Sequence, residues 1–104
     1  MIRLATRMFV YKEFYEEYKK RHDELWDEMQ QTLKSYGAHN YSIFLDEQNG
    51  YLFAYVEIEN TEKWAAIRDT AICRKWWEYM APLMETNEDN SPVAVPLKSV
   101  FYLA

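Results

Sequence analysis

His22 and His39 are the only two histidines of this sequence, and they are the side chains that titrate near neutral pH without a perturbed environment. On a helix, His22 would follow Tyr18 by one turn, about 40° away around the axis. It then falls on an apolar stripe, where leucine would pack better and an unpaired imidazole would be costly. Two interpretations remain open: a core histidine bonded to a carbonyl or to Tyr18, or a general acid or base facing a cavity. His39 stands at the start of a predicted strand beside a loop, which favours a surface role.

Two adjacent tryptophans, Trp76 and Trp77, occur in the segment CRKWWEYM. Neighbours on a helix point about 100° apart, so they share one apolar stripe only if it is very wide. Trp76 lies on the predicted core stripe with Met80, whereas Trp77 falls at its edge. A rim indole offers an apolar face and one N–H donor, which suits a small ligand carrying both C–H and hydroxyl groups. The alternative is that Trp77 only covers a helix junction.

Tyr41 is the aromatic residue of the predicted second strand that would face the helices, because it alternates with Ile43 and Leu45. A cavity between sheet and helices would then be lined by Tyr18, His22, Tyr41 and one or both tryptophans. Such a cavity is uncharged, aromatic and rich in hydroxyl groups. We therefore expect it to bind a neutral polyol.

Composition excludes several other functions. The formal net charge of -5, from 17 acidic and 12 basic residues, provides no basic stripe, so we expect no nucleic-acid partner. Two distant histidines and one cysteine, Cys73, do not form a standard metal site, and no glycine-rich phosphate loop is present, so we expect no metal and no cofactor. The sequence contains neither a signal-peptide pattern nor a membrane-spanning run, and a single cysteine fits a reducing compartment. These features predict a cytoplasmic protein without a membrane partner.

Regular elements are expected over most of residues 1–104, which we interpret as a single domain. The pattern of residues 2–10 predicts a strand, and that of residues 13–36 predicts one long helix that ends at Gly37. Residues 39–46 and 50–58 are predicted to form two strands joined by a turn at Asn49-Gly50. A short helix from Asn60 or Thr61 to about Arg68 and a second helix from Asp69 or Thr70 to near Pro82 follow. Residues 93–104 predict a last strand, in which Pro96 favours an edge position or a strand start.

The predicted order β-α-β-β-α-α-β is the ferredoxin-like split βαβ pattern, an α+β fold with a four-stranded antiparallel sheet and helices on one face. In the third strand one face is aliphatic and the other carries Tyr51, Phe53 and Tyr55. A sheet that is apolar on both faces needs a second cover. We therefore expect a homodimer in which two sheets meet, although an exposed tyrosine-rich surface is an alternative.

The sequence resembles the L-rhamnose mutarotase family over essentially its whole length. The segments that carry the resemblance, in order and spacing, are EEYKKRHDELW, YGAHNYSIFLD, LFAYVEIE, CRKWWEYM, NEDNSPV and VFYL. The resemblance implies a dimeric α/β-barrel of the ferredoxin-like kind that interconverts the α and β anomers of L-rhamnose without a cofactor. It also implies that His22 is the proton donor and that the sugar is contacted by Tyr18, Tyr41, Trp76 and Trp77.

Two other functions are compatible with the same fold: a non-catalytic dimer that binds a small molecule, and a cofactor-free oxygenase. The chain also departs from the family pattern. Members often carry prolines where this chain has Glu24, Asp27 and Glu88. Without the first two prolines we expect the first helix to continue uninterrupted past His22.

Overall fold

The computed structural model describes all residues from Met1 to Ala104, and its centre is a four-stranded antiparallel sheet. The strands are β1 (Ile2–Phe9), β2 (Ala38–Asp46), β3 (Tyr51–Ile58) and β4 (Val95–Pro96), in the spatial order β2-β3-β1-β4. Opposite residues include Met8 and Leu52 in β1 and β3, and Ile43 and Ala54 in β2 and β3. The predicted ferredoxin-like α+β fold is confirmed.

The helices are α1 (Tyr15–Asp23), α2 (Asp27–Ser35), α3 (Thr61–Ala65) and α4 (Ala71–Met80). Short 3-10 turns cover Lys12–Phe14, Ala66–Asp69 and Ala81–Leu83. Asn60 caps α3 by accepting a hydrogen bond from the backbone N–H of Lys63 at 2.8 Å, and Thr70 caps α4 through that of Cys73 at 3.3 Å. Both caps are among the predicted candidates, because their short side chains satisfy N–H groups that a first helical turn leaves unpaired.

The core lies between the helices and one face of the sheet. The strand residues that point to this side alternate along each strand, and those of β3 are all buried: Leu52, Ala54, Val56 and Ile58. The helices contribute Tyr18, Met29, Trp76 and Met80 to the same buried cluster. The opposite face of the sheet has no helix and carries exposed aromatic residues, including Phe44 and Phe53, which stand opposite each other on β2 and β3.

The predicted uninterrupted helix over residues 13–36 is wrong. Backbone dihedrals leave the helical region at Glu24 (φ -105°, ψ 30°), and Trp26 is extended (φ -58°, ψ 136°) before α2 begins. No proline is present to impose this break. Instead, the extended Trp26 packs its indole against Trp76 and Tyr79 at ring-centroid distances of 5.0 and 5.1 Å. Tertiary packing of one large aromatic side chain thus overrides the local helical pattern.

The last strand is shorter than predicted. Only Val95–Pro96 pairs with β1, and the backbone N–H of Leu97 makes one further bond to the carbonyl of Ala5 at 2.9 Å. The expected edge position of Pro96 is confirmed, and it follows from the missing N–H of proline. Residues 98–104 form no strand and leave Val100, Phe101 and Leu103 largely exposed.

The β2–β3 hairpin turns through the predicted residues 47–50. The backbone carbonyl of Asp46 accepts a hydrogen bond from the backbone N–H of Gly50 at 2.8 Å. The carboxylate of Asp46 accepts a second hydrogen bond from the backbone N–H of Gln48 at 3.1 Å. Only Gly50 of the Asn49-Gly50 pair has positive φ, at 79°. A Cβ at this position would lie 2.9 Å from the carbonyl oxygen of Val10, so the turn requires glycine for both conformation and space.

Candidate active site

An open cavity of about 1550 Å³ lies between the helices and the inner face of the sheet. Its lining is mostly hydrophobic and includes every residue that the sequence analysis selected: Tyr18, His22, Tyr41, Trp76 and Trp77. Small-molecule pockets typically measure about 300–1,000 Å³, so a monosaccharide fits here with space to spare. The imidazole of His22 is therefore not enclosed by packed side chains.

His22 is half-buried on the last turn of α1. Its Nδ1 lies 3.0 Å from the backbone carbonyl oxygen of Tyr18. The ring stacks on that of Tyr18 at a centroid distance of 4.4 Å and meets Trp76 edge-on at 5.4 Å and 89°. The protein thereby holds one nitrogen of the imidazole through a hydrogen bond and its ring through two aromatic contacts.

The environment of His22 lowers the pKa of its imidazole. The main cause is burial, which disfavours the charged ring, and it is only partly opposed by the Tyr18 carbonyl and by Asp23. The ring is therefore neutral at neutral pH.

The two tyrosines of the cavity wall remain protonated. Burial raises the pKa of Tyr18 well above its ordinary value, and Tyr41 adds to the shift. Tyr41 keeps 43% of its surface accessible, but protein surrounds its hydroxyl, and this desolvation raises its pKa as well. The hydroxyl of the buried Tyr18 makes no hydrogen bond within the protein and is not sealed from solvent, so it is open to the cavity, which Tyr41 also lines. Both phenols can donate hydrogen bonds to a ligand but cannot act as bases near neutral pH.

Tyr41 lines the cavity from the inner face of β2, next to an irregularity in that strand. The pairing with β3 shifts between His39 and Ser42, and Asn40 has a φ of 50°. Such a bulge places an extra residue on one strand and re-aims side chains. Tyr41 itself continues the inward alternation of Ile43 and Leu45, and its ring packs edge-on against Trp64 at 6.3 Å.

The two adjacent tryptophans have different environments. Trp76 is buried, whereas Trp77 is half-buried and lies at the rim, between the guanidinium carbons of Arg68 and Arg74 at 6.0 and 5.7 Å from its ring centroid. Arg68 also approaches Asp89 of the loop after α4 at 3.5 Å. The helix periodicity predicts this division between a core and a rim tryptophan correctly.

Two aromatic residues near the site were not among the predicted candidates. Trp64 lines the cavity beside Tyr41, and Trp26 lies behind Trp76. Trp64 carried no distinguishing signal, because a single aromatic residue on a five-residue helix has no readable periodicity. Trp26 falls within the helix predicted over residues 13–36, which is in fact interrupted at this residue.

His39 is a surface residue, as expected, and its Nε2 lies 2.8 Å from a carboxylate oxygen of Glu59. Cys73 is free and buried, and burial raises the pKa of its thiol to about 11. A thiol in this state is a poor nucleophile. No helix of the structure is long and apolar enough to cross a bilayer.

Comparison with known proteins gives consistent results along the whole chain. The family model described as L-rhamnose mutarotase matches residues 3–103. An L-rhamnose mutarotase from Bacillus subtilis is 61% identical over 103 residues, which cover 99% of each chain. The crystal structure of an L-rhamnose mutarotase from Formosa agariphila superposes with a TM-score of 0.92 at 42% identity, covering 100% of both chains.

A second group of structures shares the fold only. The crystal structure of an antibiotic biosynthesis monooxygenase superposes with a TM-score of 0.64 at 14% identity, over 96% of this chain and 99% of that one. At this identity the similarity concerns the path of the backbone and not the chemistry of the site. It therefore provides no support for an oxygenase activity.

Proposed function

This chain belongs to the L-rhamnose mutarotase family, and we propose that His22 moves the protons by which it interconverts the α and β anomers of L-rhamnose. One observation carries the assignment of His22: a neutral imidazole borders an aromatic cavity and has one nitrogen fixed by a main-chain carbonyl.

The carbonyl of Tyr18 determines the tautomer of His22. A carbonyl oxygen can only accept a hydrogen bond, so Nδ1 must carry the proton that it donates to Tyr18. In the neutral ring, Nε2 then has a free lone pair. His22 is therefore a base in its resting state and becomes an acid only after it has accepted a proton.

A single imidazole is sufficient for the reaction. Nε2 takes the proton of the anomeric hydroxyl, the bond between C1 and the ring oxygen breaks, and the imidazolium gives the proton to that ring oxygen. Both oxygens are attached to C1, so one nitrogen can reach each of them. The open-chain aldehyde then rotates about its C1–C2 bond, and the same steps in reverse close the ring on the other carbonyl face. No proton is gained or lost over the cycle.

The remaining candidates bind and orient the sugar. Tyr18 and Tyr41 supply hydroxyl donors that stay protonated, and Trp76 and Trp77 supply apolar surfaces for the C–H faces of a pyranose. Exclusion of water by these walls strengthens each polar contact with the sugar. The family resemblance implies that His22 is a proton donor, and this role corresponds to the step in which the imidazolium gives its proton to the ring oxygen.

Exchange spectroscopy of the anomeric protons tests the proposal. Equilibrated L-rhamnose shows separate NMR signals for its two anomers, and catalytic amounts of the protein should make them exchange magnetisation faster than buffer does. A folded protein that leaves the exchange rate at the buffer value would contradict the assignment. If the protein binds the sugar without accelerating exchange, the non-catalytic binding function is correct instead.

We further propose that the protein is a homodimer whose sheets pack face to face. The uncovered sheet face contains Phe44, 69% exposed, opposite Phe53, 39% exposed, and Arg7 lies over the ring of Tyr51 at 4.6 Å. A second copy would bury this aromatic surface by two-fold symmetry. Light scattering should give twice the chain mass, and Phe53→Lys should reduce it to the mass of one chain. A wild-type protein of single-chain mass at micromolar concentration would refute the dimer.

A cytoplasmic location is also proposed, on the ground that the one cysteine, Cys73, is a free thiol. Fractionation of cells producing the protein should recover it with cytoplasmic marker enzymes. Recovery in the medium or with envelope fractions would contradict this location.

A further inference from the structure

Arg21, the residue before His22, connects α1 to α4. Its Nε donates a hydrogen bond to a carboxylate oxygen of Glu17 at 2.7 Å within α1, and its Nη1 donates to the backbone carbonyl of Tyr79 on α4. The guanidinium carbon also lies 4.0 Å from the centroid of the Tyr79 ring. Only 19% of the side chain is exposed, so these contacts are partly shielded from water.

The position of this guanidinium complements the end of α4. The last carbonyl groups of a helix lack intrahelical partners and carry partial negative charge, which a cation stabilises. The last turn of α4 contains no basic residue of its own. Arg21 supplies that charge from the neighbouring helix, and its planar fork can serve a carboxylate, a carbonyl and an aromatic face at once, which a lysine cannot.

The contact with Tyr79 lies beside the candidate active site. Tyr79 packs against Trp76 at 5.7 Å, and Trp76 is the ring that meets His22 edge-on at 5.4 Å. The other end of α1 is held by a hydrogen bond from the Tyr15 hydroxyl to the carbonyl of Glu47 at 3.2 Å. Side-chain bonds thus fix α1 at its first residue and at the residue that precedes His22.

We propose that Arg21 is a positioning residue for anomer exchange: it holds α1 against α4 and thereby sets the orientation of the His22 imidazole relative to Trp76. The inference rests on the proposed role of His22. Small displacements of a catalytic group are costly, since about 1 Å can reduce a rate by roughly 100-fold.

The test compares Arg21→Gln with Lys20→Gln. Both substitutions remove one positive charge from the same turn, but the side chain of Lys20 is exposed and makes no bond to α4. We expect Arg21→Gln to lower kcat by roughly tenfold or more with KM changed by less than about twofold, and Lys20→Gln to change neither. Arg21→Lys, which keeps the charge near the carbonyl of Tyr79, should recover part of kcat.

A spectroscopic readout separates positioning from stability. In the T-shaped contact the ring protons of His22 experience the ring current of Trp76, so their NMR shifts should move toward ordinary values in Arg21→Gln and remain unchanged in Lys20→Gln. Unchanged shifts, or a lower Tm with wild-type kcat per folded molecule, would overturn the proposal. An inactive wild-type protein would refute the proposed function instead, while the shift comparison would still report on Arg21. If Arg21→Gln does not fold, the same two measurements on Arg21→Lys decide the question.

Discussion

Replacement of His22 by asparagine removes the proton carrier while keeping a hydrogen-bond donor near the carbonyl of Tyr18. General acid–base catalysis typically contributes about 10²- to 10⁴-fold to a rate. At 1.36 kcal/mol per tenfold change, this corresponds to roughly 3–5 kcal/mol of transition-state stabilisation. We therefore expect His22→Asn to slow anomer exchange at least about 100-fold, because Tyr18 and Tyr41 of the cavity wall stay protonated and cannot take over as the base.

The same substitution should leave the protein folded. The imidazole makes two aromatic contacts, to Tyr18 at 4.4 Å and to Trp76 at 5.4 Å. Such contacts are worth about 0.5–1.5 kcal/mol each, so their loss should cost roughly 1–3 kcal/mol. Domains of this kind are stable by about 5–15 kcal/mol, and the variant should remain folded at 25 °C.

The assay is magnetisation exchange between the two anomeric protons of L-rhamnose, measured per folded molecule after circular dichroism and thermal unfolding. His22→Ala serves as a companion, since it also removes the bond to the carbonyl of Tyr18. Equal losses in the two variants would assign the effect to proton transfer. An asparagine variant that keeps the rate within about threefold of wild type would refute the catalytic role of His22 and return it to the structural core.

Three further results are expected. Burial lowers the pKa of His22 below its ordinary 6.5, so kcat/KM should stay level as pH falls through 6.5 and drop only through the lower folded value; a drop centred above 6.5 would contradict the lowered pKa. Trp77→Ala should raise KM by roughly tenfold with little change in kcat, measured by exchange at several sugar concentrations, because a rim indole binds ground and transition states alike. Asp27→Pro should change the free energy of unfolding by less than about 1 kcal/mol, whereas Gln31→Pro inside α2 should cost about 3 kcal/mol or more in thermal denaturation. Equal costs would contradict the break before α2.

Much of the fold follows from local sequence signals. Each of these signals lies within a few residues of the element that it predicts. They are the alternation in β3, the glycines at the ends of α2 and of the hairpin turn, and the caps at Asn60 and Thr70. The break after His22 has no such signal. Residues 13–36 form a continuous helical pattern, and only the packing of Trp26 on residues 50 positions later in the chain accounts for the extended backbone there.

For the candidate site, periodicity predicts which residues line one cavity but does not describe their contacts. Helical periodicity predicts that His22 lies near Tyr18, and that Trp76 lies in the core whereas Trp77 lies at the rim, because these relations depend on helix geometry alone. Periodicity could not place Tyr41 beside Trp64, nor Arg21 against Tyr79. Both are contacts between elements that are distant in sequence.

Main-chain atoms determine the geometry of this site to an unusual degree. The carbonyl of Tyr18 selects the tautomer of His22. The carbonyl of Tyr79 accepts a hydrogen bond from Arg21, the residue before His22. The break at Glu24–Trp26 ends α1 one residue after the imidazole and allows the indole of Trp26 to pack behind Trp76. In a continuous helix Trp26 would lie one turn beyond His22 on the same stripe and face the cavity with it. The interruption therefore enlarges the space available to a sugar, and because packing produces it, the chain needs no proline at this point.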